Sequence, residues 1–177
     1  MKKENNLKKI LVIGGCGAGK STFSKKLQSI LKLELIHLDQ YYHKPNWEEP
    51  KKGEWDKIVH TLVQKPSWIM DGTHKRTMDV RIKSADTIIY LDYPTLKCFC
   101  RVIIRIFKYH GVVRSEMANG CKEKFDLEFL HFVLTFNNKF RKEIIQKLNL
   151  VKDEKKILVF RTDKQADKFL AQISGVK

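Results

Sequence analysis

The run Gly14-Gly15-Cys16-Gly17-Ala18-Gly19-Lys20-Ser21 constrains this chain more than any other segment, because it fits the spacing G-x-x-x-x-G-K-[ST]. Before it stands Ile10-Leu11-Val12-Ile13, a short apolar run stopped by Gly14, which reads as a fully buried strand. After it, Phe23, Leu27, Ile30 and Leu31 recur at helical spacing. Strand, glycine-rich loop and helix in that order make a phosphate-binding loop. The glycines let the backbone curl until successive N–H groups point at phosphate oxygens, and the helix adds its positive end. Gly14, Gly15, Cys16, Gly17, Ala18, Gly19, Lys20, Ser21 and Thr22 are therefore candidate nucleotide-binding residues, with ATP the expected nucleotide. Lys20 is expected to reach the β- and γ-phosphates, and the Ser21 hydroxyl to ligate Mg²⁺.

Strand and helix patterns alternate along the rest of the chain. Leu33 to Leu38 reads as a second strand ending at Asp39, followed by a loop over 40–53 and a helix over Trp55 to Val63. Trp68-Ile69-Met70 reads as a third strand ending at Asp71-Gly72, Thr87 to Leu91 as a fourth and Ile157 to Phe160 as a fifth. Between the last two lie a helix starting near Pro94 and another carrying Phe125, Phe129, Phe132, Phe136 and Phe140. That aromatic stripe has helix spacing and reads as core packing. A final helix runs from Asp163 to Ile173. Alternating βα units predict one α/β domain over 1–177, with a parallel sheet covered by helices on both faces and ligands beyond the strands' carboxyl ends. Of the carboxylates at those ends, Asp71 and Asp39 are the candidates for holding the metal, and Asp92 is either a helix cap or a site residue.

At these residues a resemblance emerges. The phosphate loop, Asp71-Gly72, Leu91-Asp92-Tyr93-Pro94 and the arginine-bearing helix after it resemble the adenylate-kinase-like branch of P-loop kinases. More narrowly, His37-Leu38-Asp39, Lys44-Pro45-Asn46-Trp47, Trp68 to Thr73, Arg76-Thr77 and Met117 to Cys121 resemble the DNA topology modulation proteins of the FlaR type. The resemblance implies a three-layer P-loop fold of five parallel strands in the order 2-3-1-4-5, with a helical lid. In that order Asp71 lies beside the strand feeding the phosphate loop and would face Ser21 across Mg²⁺. The chain departs from adenylate kinases after Asp71-Gly72, where it has Thr73-His74-Lys75-Arg76 in place of Phe-Pro-Arg.

Phosphoryl transfer depends on positioning and on cations around the spreading charge. Arg101 and Arg105 recur at helical spacing opposite the apolar face of their helix, and Arg114 lies in an aperiodic segment, 109–124, where such kinases carry a lid. These three are the candidate transition-state and lid cations. The stretch 40–66 is the candidate acceptor-binding insert, with Asp39, Tyr42 and Arg76 as candidate substrate residues. Asp39 would act on an acceptor hydroxyl, whereas Arg76 would clamp a monophosphate. His37 reads as a satisfied core histidine, and Thr162 as the N-cap of the last helix.

The expected function is ATP- and Mg²⁺-dependent phosphoryl transfer to a nucleotide or another small metabolite. A net charge of +15, from 35 Lys+Arg against 20 Asp+Glu, leaves a nucleotide-dependent DNA regulator as the alternative, and a plain NTPase is a third reading. Much of the excess is lysine spread over chain ends and helix surfaces, which a solvated surface explains. No apolar run approaches a membrane span or a signal peptide, and the four cysteines lack zinc-site spacing, so a cytoplasmic protein with unpaired thiols is expected.

Overall fold

The computed structural model of the protein describes residues 7–175. Strand β1 (Lys9–Gly14) forms the centre and is buried from Ile10 onward, as suits a strand covered on both faces. Leu11 and Ile13 pack on one side of the sheet, Ile10 and Val12 on the other, following the two-residue strand period. Strands β3 (Trp68–Asp71) and β4 (Thr87–Leu91) flank it, and β2 (Leu35–His37) and β5 (Lys156–Phe160) form the edges. All neighbours are parallel, and the order is the expected β2-β3-β1-β4-β5. Val12 pairs with Asp71, which puts that carboxylate beside the strand feeding the phosphate loop.

Helices α1 (Lys20–Leu31) and α8 (Asp163–Ser174) cover one face, where Phe23 meets Phe160 and Phe169. Helices α3 (Lys52–Val63), α4 (Met78–Ser84) and α7 (Lys142–Leu150) cover the other, burying Trp55, Val59, Ile82, Ile144 and Leu148. A third apolar cluster joins α5 (Thr95–Tyr109) to α6 (Leu127–Phe136) through Val102, Ile106, Leu130 and Val133.

Five points differ from expectation. The second strand stops at His37, and the chain turns directly into a short helix, α2 (Leu38–Tyr42), so Asp39 lies in a helical first turn rather than at a strand end. Gly72 permits that turn: a Cβ there would meet the Leu38 Cβ at 2.9 Å. Part of the loop read over 40–53 is ordered, with α3 starting at Lys52, and α4 has no counterpart in the sequence reading. Its apolar signal, Met78 and Ile82, spans too few residues to show a period. In the aromatic stripe, Phe136 and Phe140 pack on the core while Phe125 is 56% exposed. A π turn over Asn137–Arg141 joins α6 to α7 and breaks the regular phase. Finally, the candidate lid segment is not itself helical beyond Tyr109. It folds back through bridges His110–Glu123 and Val113–Lys122, with Gly111 and Gly120 left-handed at the bends, and helices stand only on its flanks. Among the described residues, no helix is long and apolar enough to cross a membrane.

Candidate active site

The phosphate loop takes a shape that only its glycines allow. Gly17 has φ 80°, and a Cβ on it would lie 2.2 Å from the Cys98 carbonyl oxygen. Gly19, with φ 86°, leads into α1, whose first turn holds Lys20, Ser21 and Thr22. The Ala18 N–H donates to the Gly15 carbonyl, and Gly15 rests on the Phe136 ring. Lys20 Nζ donates to the carbonyls of Gly14 and Gly15, both at 3.1 Å, so the ammonium lies over the loop.

β3 and the loop after it close onto this turn. Thr73 Oγ1 donates to the Gly14 carbonyl at 2.5 Å and accepts the Gly14 N–H at 3.2 Å. Asp71 is buried, with His37 Nδ1 at 2.9 and 3.0 Å from its two oxygens. His37 is thus a satisfied core histidine, and its partner is the candidate metal carboxylate. One ring N–H leaves lone pairs on Asp71 for a water. Mg²⁺ in such loops keeps several waters and takes one or two protein oxygens besides the phosphates. Ser21 in the first turn of α1 and Asp71 on the adjoining strand fit that modest requirement. Among the described residues no group of three His, Cys, Asp or Glu side chains could cage a metal, and none is needed.

Asp39 faces the same loop. His74 Nε2 bonds its Oδ1 at 2.8 Å. Burial opposes ionisation of Asp39, but the hydrogen bond and charge of His74, with Lys20 and His43, hold its carboxyl at about 2. Cys16 feels four of these charges. Burial pushes its thiol up, Lys20 pulls it down, Asp39 pushes it up, and Arg105 and Arg114 pull it down. The Cys16 loop therefore lies within the field of Lys20, Asp39, Arg105 and Arg114, four of the expected site residues.

The arginines are held by carboxylates. Arg101 meets both oxygens of Asp163 at 2.8 and 2.9 Å, lies 5.5 Å from the Tyr93 ring and comes 3.8 Å from where a Cβ of Gly19 would sit. Arg105 and Arg114 share Glu123, whose oxygens lie 3.0 and 2.8 Å from them, and Arg114 also binds Glu116 at 2.7 Å. Arg76 forms a two-pronged pair with Asp56 of α3 at 2.9 and 2.6 Å, which commits its guanidinium to that helix. Asp92 pairs with Arg141 at 2.7 and 2.8 Å, whereas Pro94 occupies the N-cap position of α5. Thr162 caps α8 by accepting the Gln165 N–H, as expected. Tyr42 packs its ring on Trp55 and His74, at 5.0 and 4.6 Å, and burial with a hydrogen bond to Glu49 pushes its hydroxyl up to about 12.

Several site residues escaped the sequence reading. Thr73 and His74 follow Asp71-Gly72 directly, and that glycine was the available signal. Arg81 is wholly buried. It donates to the carbonyls of Gly72, Thr73 and His74 at 2.7 Å each and of Thr77 at 3.2 Å, fixing the loop that carries both residues. Glu123 had no local signal. The candidate lid segment also rests on the stretch after β2: Gln40 donates to the Ser115 carbonyl, Trp47 Nε1 to that of Lys122 and the Cys121 thiol to that of Lys44.

Comparison with known proteins agrees with this architecture. The chain is 29% identical over 174 residues to a shikimate kinase of Francisella philomiragia, covering 85% of this chain and 98% of that protein. It superimposes on a shikimate kinase from Acinetobacter baumannii in complex with shikimate with a TM-score of 0.57 at 16% identity, over 97% and 96% of the two chains. A deoxyadenosine kinase from M. mycoides with bound dATP gives 0.52 at 16% identity, over 93% and 98%. The chain has the fold of P-loop kinases. No protein-family model matches it. These similarities support the resemblance at the level of adenylate-kinase-like P-loop kinases, and the narrower one to topology modulation proteins rests on sequence motifs alone.

Proposed function

We propose that this P-loop kinase transfers the γ-phosphoryl group of ATP, with Mg²⁺, to a hydroxyl of a small metabolite. The observation that carries the reading is Asp39: an ionised, 43%-exposed carboxylate within the field of Lys20, gripped from behind by His74. Lys20 and the loop amides hold the triphosphate, and Ser21 and Asp71 hold the ion. Mg²⁺ supplies charge neutralisation on the phosphates. Arg101, Arg105 and Arg114 supply cations beside the loop. The acceptor oxygen bonds to phosphorus as the bridging P–O bond breaks, ADP leaves with the electron pair, and the hydroxyl proton is released. A carboxyl held at about 2 is a weak base, so Asp39 serves chiefly as the hydrogen-bond acceptor that aims the hydroxyl.

The pairing of Arg76 with Asp56 favours an alcohol over a nucleoside monophosphate, which would need that arginine freed. The similarity to a shikimate kinase makes shikimate the first acceptor to try. The +15 charge supports DNA binding less well, because lysine ion pairs are scattered over several elements, among them Lys26–Asp167, Lys65–Glu34 and Lys147–Asp79. The test is ADP formation from ATP–Mg²⁺ with shikimate, deoxynucleosides, polyols and nucleoside monophosphates in turn. Stimulation by a hydroxyl compound, lost in Lys20→Ala and Asp39→Asn, is expected. Stimulation by monophosphates alone would overturn the alcohol reading.

A further inference from the structure

The Asp39 carboxylate meets a partner from the loop after the neighbouring strand. His74 follows β3, whereas Asp39 opens α2, and their 2.8 Å bond ties the two loops together. The imidazole is supported by an aromatic pair and by its own backbone. Tyr42 and Trp55 lie against its ring at 4.6 and 5.1 Å. Its backbone carbonyl accepts from the buried Arg81 at 2.7 Å. Gly72 makes the approach possible, since a Cβ there would meet the His74 ring carbon at 3.1 Å. His74 is only 14% exposed, whereas Asp39 is 43% exposed. The ring therefore covers one carboxylate oxygen and leaves the other face of the group to solvent or acceptor.

We propose that His74 is a positioning residue that fixes the orientation of the Asp39 carboxylate toward an acceptor hydroxyl. The inference rests on the alcohol-kinase reading and names the group that enforces its geometry. A ring packed against a pair of touching aromatics, in a residue whose carbonyl is held by Arg81, resists following a swinging carboxylate and so restricts the Asp39 rotamer. Groups that orient a reacting or ligating side chain in this way are worth about 10–100-fold when removed, since a displacement of about 1 Å costs rate rather than binding.

The test uses the full chain with ATP–Mg²⁺ and two acceptor probes, shikimate and 2′-deoxyadenosine. His74→Leu should lower kcat for the responding probe about 10–100-fold with the KM for ATP unchanged. His74→Gln places an amide N–H near the position of Nε2 and should recover most of the loss, which a purely structural role for the ring would not allow. A loss in His74→Leu that Gln does not rescue, or no loss, overturns the proposal. If Asp39→Asn is itself harmless, the alcohol-kinase reading falls instead. Should neither probe respond, carboxyl-carbon NMR of Asp39 decides. In His74→Leu its titration should move from about 2 toward the ordinary 3.8, and an unmoved titration refutes the pairing.

Discussion

Replacing Arg81 by Met should destabilise the protein far more than its place on a short helix implies. The guanidinium is fully buried and donates four hydrogen bonds to main-chain carbonyls of residues 72, 73, 74 and 77. Bonds from a charged donor contribute about 1.5–3 kcal/mol each, or roughly 6–12 kcal/mol together before desolvation is counted. Burial opposes them: it pulls Arg81 from 12.5 down to about 9. At about 1.4 kcal/mol per pH unit, that penalty is about 5 kcal/mol. The remainder centres on about 4 kcal/mol, the size seen when one partner of a buried polar network is removed. For a chain of this length the melting temperature should fall by about 8–16 °C. Arg81→Lys, which keeps the charge but not the fork, should fall between the two. Urea denaturation monitored by circular dichroism measures the difference directly. A Met variant within about 1 kcal/mol of the parent would show that the four bonds do not hold the 72–77 loop.

Gly17→Ala should lose at least about 100-fold in ATP affinity by calorimetry, because a side chain there meets the Cys98 carbonyl at 2.2 Å in a left-handed conformation. An unchanged affinity would contradict the loop geometry. Glu116 gives a pH signature in the lid. Burial raises its carboxyl, but Lys25 and Arg114 together bring it from 4.5 down to about 2. Since the folded value lies below the unfolded one, its contribution is present above about pH 4.5 and lost as pH falls through about 2. Amide hydrogen exchange in 110–123 should accelerate across that window in the parent and change less in Glu116→Gln. Equal acceleration in both would remove Glu116 from the account.

What the chain revealed in advance was what is local in sequence. The phosphate loop, the strand before it and Asp71 at the end of β3 each announce themselves within a few residues, and the strand order followed from a resemblance those residues carry. The pairings did not. Asp39 and His74 lie 35 positions apart, Arg76 and Asp56 lie 20 apart, and Arg105 meets Glu123 across 18. Asp56 and Glu123 look like ordinary surface charges until the fold brings their partners, and Asp39, though marked by its place after the second strand, gives no sign of His74. Arg81 misleads most, because arginine is seldom fully buried and the seven residues of α4 are too few to show which face points inward. The early stop of β2 was equally hidden, since it depends on the bare backbone of Gly72 receiving Leu38.

The central claim is transfer to a hydroxyl rather than to a phosphate or to water, and phosphorus NMR of the products tests it most directly. Incubation with ATP–Mg²⁺ and the acceptor panel should yield ADP and, in equal amount, a phosphate-monoester resonance, both lost in Lys20→Ala. ADP with inorganic phosphate alone, or a new diphosphate resonance formed only from nucleoside monophosphates, would contradict it.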